Sequence, residues 1–381
     1  MEEYGIANIG GLPKGAGETV KTNMPPSSQQ DFSIVMIAPR KNQCGISDYS
    51  DYLVDALTKR TTRVRRTDWE SYSPEKDRAD LVHIQHEYFL FGGVAPWKNS
   101  CGNFLKRVGA PVVLTAHEFL PPTGNPVRSL MIRLTNRSNF MHPNIRRILV
   151  HTSQDKYLMT LSGIPPEKVQ LIRHGVPSSP ALPSSNAMKL EFGLANKFIV
   201  TVFGFLSRKK GHLDALSALS LLPNDIHLVF AGGMHPDDRT DYAQVIDKEI
   251  TARGLNDRVR ITGYLNREDM YKWMAATDLI LAPFHQTSGS GSLAMAFSCA
   301  KPILASDIPP NMEYLDDTPD CIRVYPAAHT EKMADLIKTI AEDQAERASL
   351  TSAAGEYARK HSYSSMAEET MALYRTLLSE A

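Results

Sequence analysis

The chain has little cysteine. Four residues in 381, Cys44, Cys101, Cys299 and Cys321, stand apart without Cys-x-x-Cys spacing. That argues against a disulfide framework or a zinc site and fits a reducing compartment. There is no excess charge of either sign: 42 Lys plus Arg balance 42 Asp plus Glu, so no global field draws the chain to nucleic acid. No apolar run approaches the length of a bilayer span, and the first residues lack the apolar core of a secretory signal, which points to the cytoplasm. An Asp-x-Asp pair is also absent.

What is present is an alternation of strand and helix patterns, in a length that suggests two domains. Residues 1–30, rich in Gly, Pro, Ser and Gln, read as a mobile extension. A first domain is expected over 31–177. Phe32–Ala38 is a buried strand and Ile46–Leu57 an amphipathic helix, followed by strands over Ala79–Gln85, Val112–Ala116, Ile148–Thr152 and Val169–Ile172. The Pro/Ser-rich stretch from Pro177 marks a linker over 178–193. A second domain over 194–360 repeats the pattern with strands Phe198–Phe203, His227–Ala231, Val259–Thr262 and Asp278–Pro283. Residues 361–381 read as a terminal helix. Strands alternating with helices imply α/β architecture: two doubly wound, Rossmann-like parallel sheets facing across a cleft.

Ligands of such sheets bind at the strands' carboxyl ends. There the first domain offers Gly45, His86-Glu87, His117-Glu118 and His174. A lone histidine in that position is more often structural, but three on one edge, two beside a Glu, favour a site. In the second domain the turn Thr287-Ser288-Gly289-Ser290-Gly291 runs into an apolar helix. Small residues let an anion approach the main chain, and the helix's first turn supplies free N–H groups. By itself the turn fits a flexible surface loop equally well. The loop from Gly204 to Gly211 adds Arg208, Lys209 and Lys210, which alone would read as a solvated basic turn. A diphosphate held by cations and helix-terminal amides needs the two to converge.

The order Gly204-x5-Lys210-Gly211, Gly232-Gly233, Gly263-Tyr264-Leu265, Asp278-Leu279-x4-Pro283 and Lys301-Pro302 through Asp307, with Glu313 beyond, resembles the GT-B glycosyltransferases of family 4. In the first half, Cys44-Gly45-Ile46, His86-Glu87 with Phe91-Gly92-Gly93, His117-Glu118 and His174-Gly175-Val176-Pro177 are similar to one bacterial subgroup. The resemblance implies retaining transfer of a sugar from a nucleotide-diphosphate sugar to a carbohydrate-type acceptor held mainly by the first domain. It places the diphosphate near Lys210 and Ser288–Gly291, and the base by Tyr264 and Leu265. His117 then faces the donor sugar, Gly45 closes over the diphosphate, and the terminal helix crosses back to the first domain. No metal ion or other obligatory cofactor is implied.

The sequence also departs from that family. Thr287 and Met295 stand where two glutamates are usual, and Phe205 replaces a frequent Arg. Met295 cannot accept a ribose hydroxyl as a carboxylate does. These departures keep open a catalytically inactive sugar-nucleotide-binding or scaffold protein, beside other enzymes of the fold such as an epimerase. Arg128, Arg133, Arg137, Arg146 and Arg147, interleaved with Leu130, Met131, Ile132, Leu134 and Phe140, offer a surface for anionic lipid at the inner face of a membrane. The run from Lys59 to Arg66 adds charge. An ordinary amphipathic helix and a solvated strand edge explain the same residues and are the favoured reading.

Overall fold

The structure, a computed structural model, describes residues 32–40, 44–61, 63–235 and 240–380. The extension expected over 1–30 lies outside the described residues. The chain forms two six-stranded sheets, every neighbouring pair of strands parallel. The first contains β1 (Ile34–Ile37), β2 (Val64–Thr67), β3 (Leu81–His86), β4 (Val112–Ala116), β5 (Ile145–Val150) and β6 (Val169–Leu171), in the order β2-β1-β3-β4-β5-β6. The second contains β7 (Phe198–Phe203), β8 (Ile226–Ala231), β9 (Val259–Ile261), β10 (Leu279–Ala282), β11 (Ile303–Ser306) and β12 (Arg323–Tyr325), in the order β12-β11-β10-β7-β8-β9.

Strands β1, β3, β4, β10 and β11 are buried along their whole length. Apart from β3, whose His83, Gln85 and His86 are buried polar residues, each is nearly continuous in apolar residues because helices cover both faces of its sheet. In the second sheet the order reverses between β7 and β10. The loops leaving those two strands therefore diverge and open a crevice at their carboxyl ends.

The terminal helix Tyr363–Ser379 belongs to the first sheet. Its Met366, Met371, Tyr374 and Leu377 join Ile34, Met36, Leu53 and Val113 in one cluster. Tyr374 hydroxyl meets Nδ1 of buried His83 at 2.5 Å, while the other ring nitrogen meets Thr115 Oγ1 at 2.7 Å. The chain thus crosses between domains twice, and the crossings are tied together. Val176 N–H donates to His361 carbonyl at 2.7 Å, and Tyr363 N–H donates to Val176 carbonyl at 3.1 Å. A β-carbon on Gly175 would stand 2.7 Å from the Tyr363 ring, so this crossing needs glycine.

Three expectations shift. The segment read as a linker contains the helix Ser185–Glu191. It is anchored to the second domain by Lys189 on Asp278 at 2.6 Å and, just beyond its end, by Phe192 stacked on Trp273 at 4.0 Å. The basic run contains β2, and its charges are largely taken up by intramolecular partners: Arg60 by Glu368, Arg65 by Asp77 and Arg66 by Asp51. Strand β5 starts and ends earlier than expected, so Thr152 leaves the sheet and caps the helix Ser153–Leu161, accepting from Asp155 N–H at 3.0 Å.

Replacing Tyr374 by Phe leaves a buried imidazole nitrogen unpaired, which is expected to cost about 1–3 kcal/mol. A lowered denaturant midpoint checks this, as does faster amide exchange in β3 and β4, because the helix is part of the first domain's core.

Candidate active site

The carboxyl edges of the two sheets face each other. On the first sheet the dominant feature is a cluster of rings around Tyr49, carried by the helix Gly45–Thr58. The rings of His117, His151 and His174 lie 4.7, 5.4 and 5.1 Å from its centroid. They follow β4, β5 and β6 respectively. Each tautomer follows from its partner. His117 Nε2–H donates to Gln85 Oε1 at 2.9 Å, His151 Nδ1–H to Ile172 carbonyl at 2.8 Å, and His174 Nδ1–H to Gly175 carbonyl at 2.8 Å. Burial, reinforced by mutual repulsion for His117 and His151, holds His117 well below its ordinary pKa and His151 at about 3; burial alone brings His174 to about 4. All three are neutral near pH 7 and present hydrogen-bonding lone pairs rather than charge.

His86, expected with Glu87 at the carboxyl edge as part of the site, is instead a core residue. It is fully buried as the last residue of β3, stacked on Phe91 and bonded to Asn139 Nδ2 at 3.0 Å. His151 takes its place on the site face. Its signal in the sequence was its position at the end of β5, concealed by the late strand assignment. Glu87 stays at the edge, where its carboxylate accepts from Phe89 N–H at 3.0 Å. Burial first, then the nearby Glu118 charge, pushes it up to about 7. Gly45 is exposed at the start of its helix, with open space where a β-carbon would be.

On the second sheet, the loops leaving β7 and β10 meet. Lys210 folds back so that its ammonium donates to Phe203 carbonyl at 3.1 Å and lies 3.4 Å from Ser292 Oγ, at the first turn of the helix Gly291–Ser298. Two glycines make room for this. A β-carbon on Gly204 would stand 2.3 Å from Lys210 Nζ, and one on Gly211, whose φ is +66°, would stand 1.9 Å from Pro283 carbonyl oxygen. Ser290 caps the helix by accepting from Leu293 N–H at 3.3 Å. Among the described residues no carboxylate pairs with Lys210, and burial pushes its ammonium down to about 8.

The other two cations of the loop point elsewhere. Arg208 turns to Asp241 at 3.2 Å and to the Tyr242 ring, away from Lys210, while Lys209 reaches across to Glu118 at 2.8 Å. The ends of β8 and β9 complete the floor. Gly232 lies so close to Gly204 that a β-carbon would be 2.1 Å from its carbonyl oxygen. Tyr264 is exposed at the rim, while the Leu265 side chain packs inward near Trp273.

Direct contacts join the halves. Ser288 Oγ–H donates to His117 carbonyl at 2.6 Å, and a β-carbon on Gly289 would lie 2.8 Å from His151 Cβ. Arg173 pairs with Glu313 and, at 2.6 Å, with Asp317; Glu313 also accepts from Ser153 N–H at 2.8 Å and Gln154 N–H at 3.1 Å. Thr287 Oγ1 is spent on Ser288 carbonyl at 2.9 Å, and Met295 packs with the cluster beneath the helix. Sequence reasoning missed Tyr49, the charge of Lys209 on Glu118 and the Arg173 pairings, none of which leaves a motif.

Two family models match consecutive parts of the chain: Glycosyltransferase Family 4 over residues 51–179 and Glycosyl transferases group 1 over 188–361. The chain carries the two domains of a family 4 glycosyltransferase. Among curated relatives, alpha-D-kanosaminyltransferase of Streptomyces kanamyceticus is 26% identical over 196 residues, covering 50% of this chain and 48% of the relative. D-inositol 3-phosphate glycosyltransferase of Kribbella flavida is 24% identical over 252 residues, covering 60% and 56%. The match thus spans about half the length of these relatives. In fold the chain is similar to HepE of Anabaena, solved with UDP-glucose, at a TM-score of 0.74 and 17% identity, covering 91% of this chain and 100% of the other. It is also similar to sucrose-phosphate synthase of Thermosynechococcus elongatus, at 0.70 and 16%, covering 92% and 100%. The two facing sheets are therefore the GT-B fold.

The depressed Lys210 ammonium makes a signed prediction for this family 4 chain. Near pH 8–9 the free site is partly deprotonated, and a bound diphosphate restores the charge. Binding of inorganic diphosphate there is expected to take up a proton, seen as a calorimetric enthalpy that changes with the buffer's ionisation enthalpy. Because diphosphate itself titrates, the lysine's share is read as the difference from Lys210→Met, expected as net uptake near pH 8–9 and absent at pH 6.

Proposed function

We propose that the protein transfers a sugar, with retention of anomeric configuration, from a nucleotide-diphosphate sugar to a carbohydrate-type acceptor, in the cytoplasm and in carbohydrate biosynthesis. The observation that carries this reading is the convergence of a largely buried ammonium, without a carboxylate partner among the described residues, with a serine-capped helix start at the crevice of the second sheet. Breaking a sugar–phosphate bond leaves negative charge on the departing diphosphate. Lys210, Ser292 Oγ and the amides of Ser288 to Gly291 are groups fitted to meet it without reorganisation. The base fits between Gly232-Gly233 and Tyr264. His117 serves as a neutral hydrogen-bond partner of the donor sugar, with Glu118 as a further catalytic group beside it and Glu87 and His174 on the acceptor or sugar side. Gly45, at a helix start on the opposite sheet, comes over the diphosphate when the domains close and exclude water. The GT-B neighbours solved with UDP and UDP-glucose support a uridine nucleotide as the first donor to try.

A second reading, a nucleotide-sugar-binding protein without transferase activity, is favoured by Thr287 and Met295 alone. Calorimetry against UDP, GDP, ADP, CMP and dTDP, without metal and then with magnesium, tests the donor site. One nucleotide is expected to bind without metal. Loss of the charged hydrogen bond in Lys210→Ala should weaken binding by roughly tenfold to a hundredfold. His117→Ala is expected to cut turnover about a hundredfold while nucleotide affinity stays within about a factor of two. Anomeric analysis of the product by NMR checks retention. Binding without hydrolysis or transfer to any acceptor would favour the second reading. Met295→Glu should tighten nucleotide binding where the ribose reaches that position; unchanged affinity places the ribose elsewhere.

A further inference from the structure

The helix Pro126–Phe140 is amphipathic with an apolar stripe on the wrong side for a core helix. Its inner face is Ile132, Thr135, Asn136, Asn139 and Phe140, and its outer face presents Val127, Leu130 and Leu134 to solvent, with Leu130 58% exposed. Positions 127, 130 and 134 follow the i, i+3, i+7 spacing of a single stripe. Arg133 and Arg137 flank it on one side, both exposed, while the exposed Arg128 lies in the helix's first turn, about 100° around from Val127. The helix contains no Asp or Glu, and among the described residues none of these arginines has a carboxylate partner. Two large aromatic residues stand beside it in water, Phe89 at 84% and Trp97 at 74% exposure. Their segments are fixed to the helix: Tyr88 hydroxyl donates to Asn136 Oδ1 at 2.7 Å, and Thr135 Oγ1–H donates to Val94 carbonyl at 2.9 Å.

We propose that this face docks on an anionic phospholipid surface. The aromatic and leucine side chains enter the headgroup boundary, and Arg133 and Arg137 meet lipid phosphates. An exposed apolar stripe bordered by unpaired cations, with exposed Phe89 and Trp97 on segments hydrogen-bonded to the same helix, calls for a partner that is apolar beneath and negative at its rim, which an acidic bilayer is. The other basic groups of the sequence do not share in it. Arg146 and Arg147 lie at the start of β5, the opposite edge of the sheet, and Arg147 is within 3.8 Å of Glu380. The docking face follows the carboxyl ends of β3 and β4, the edge that carries Glu87 and Glu118. On the transferase reading, to which this one corollary is tied, the acceptor side opens toward the headgroups and suits a lipid-linked acceptor.

The test uses the full chain with vesicles of phosphatidylcholine alone or with about one-third phosphatidylglycerol. Binding by co-sedimentation is expected to be at least about tenfold stronger to the acidic vesicles and to weaken with salt. Trp97 emission should shift to the blue, a change absent in Trp97→Ser because Trp273 is buried and Trp69 packs on the core. The pair Leu130→Ser and Leu134→Ser should lose at least about tenfold in binding with thermal unfolding and nucleotide affinity unchanged. The pair Arg133→Gln and Arg137→Gln should lose the preference for acidic lipid. Equal or absent binding to both vesicle types overturns the proposal, as does wild-type binding by the leucine pair. A solution dimer abolished by the leucine pair, without vesicle binding, overturns it in favour of a second copy of the chain. None of these readouts depends on sugar transfer, so the lipid surface and the transferase reading fail separately.

Discussion

An ammonium removed from water with no carboxylate among the described residues beside it is costly, and much of the second domain is arranged around tolerating one. Lys210 keeps a carbonyl and a hydroxyl as partners, neither of which neutralises it. Gly204 yields the space its Nζ occupies, and Gly211 lets the loop turn hard against Pro283. The reversal of strand order between β7 and β10 sets the two loops side by side. Stability alone would favour pairing or replacing such a charge. A site kept partly uncompensated is primed for an anionic ligand, and the capped helix start aimed at the same place agrees in sign.

The first domain answers with neutrality. Three imidazoles packed on Tyr49 are kept neutral by burial, reinforced for His117 and His151 by mutual repulsion, and their N–H groups are spent on internal acceptors. Positive charge stays with Lys210 on the second sheet, and the three imidazoles opposite are polar and uncharged. The contacts of Ser288 with the His117 carbonyl and of Gly289 with His151 show why small residues are needed in that turn beyond anion approach: the opposite domain rests on them.

The sheets were legible because buried parallel strands are nearly continuous apolar runs, and the strand-end rule located Lys210, His117 and His174 without knowledge of packing. The same rule misplaced two histidines. His86 ends a strand whose last side chain points into a helix-covered face, and His151 was folded into a strand read a few residues late. Strand limits set by apolar content are soft by a few residues, while side chains alternate every residue, so a small slip exchanges core for site. The helix Ser185–Glu191 was hidden by its Pro/Ser-rich approach, although Phe192 has a long-range partner in Trp273. Pairings such as Arg173 with Glu313 and Asp317 join residues about 140 positions apart and have no local pattern to betray them.

The tied crossings at Val176 and Ser362 carry a consequence for synthesis. The first sheet's core includes Tyr374 and Leu377, residues made after the entire second domain. Emerging from the ribosome in order, β1 to β6 must wait with His83 and the floor beneath Tyr49 uncovered while a complete second domain forms downstream. The domain that starts first is thus the one that finishes last. During that interval its open face is where a holdase chaperone would bind, or where neighbouring nascent chains would stick.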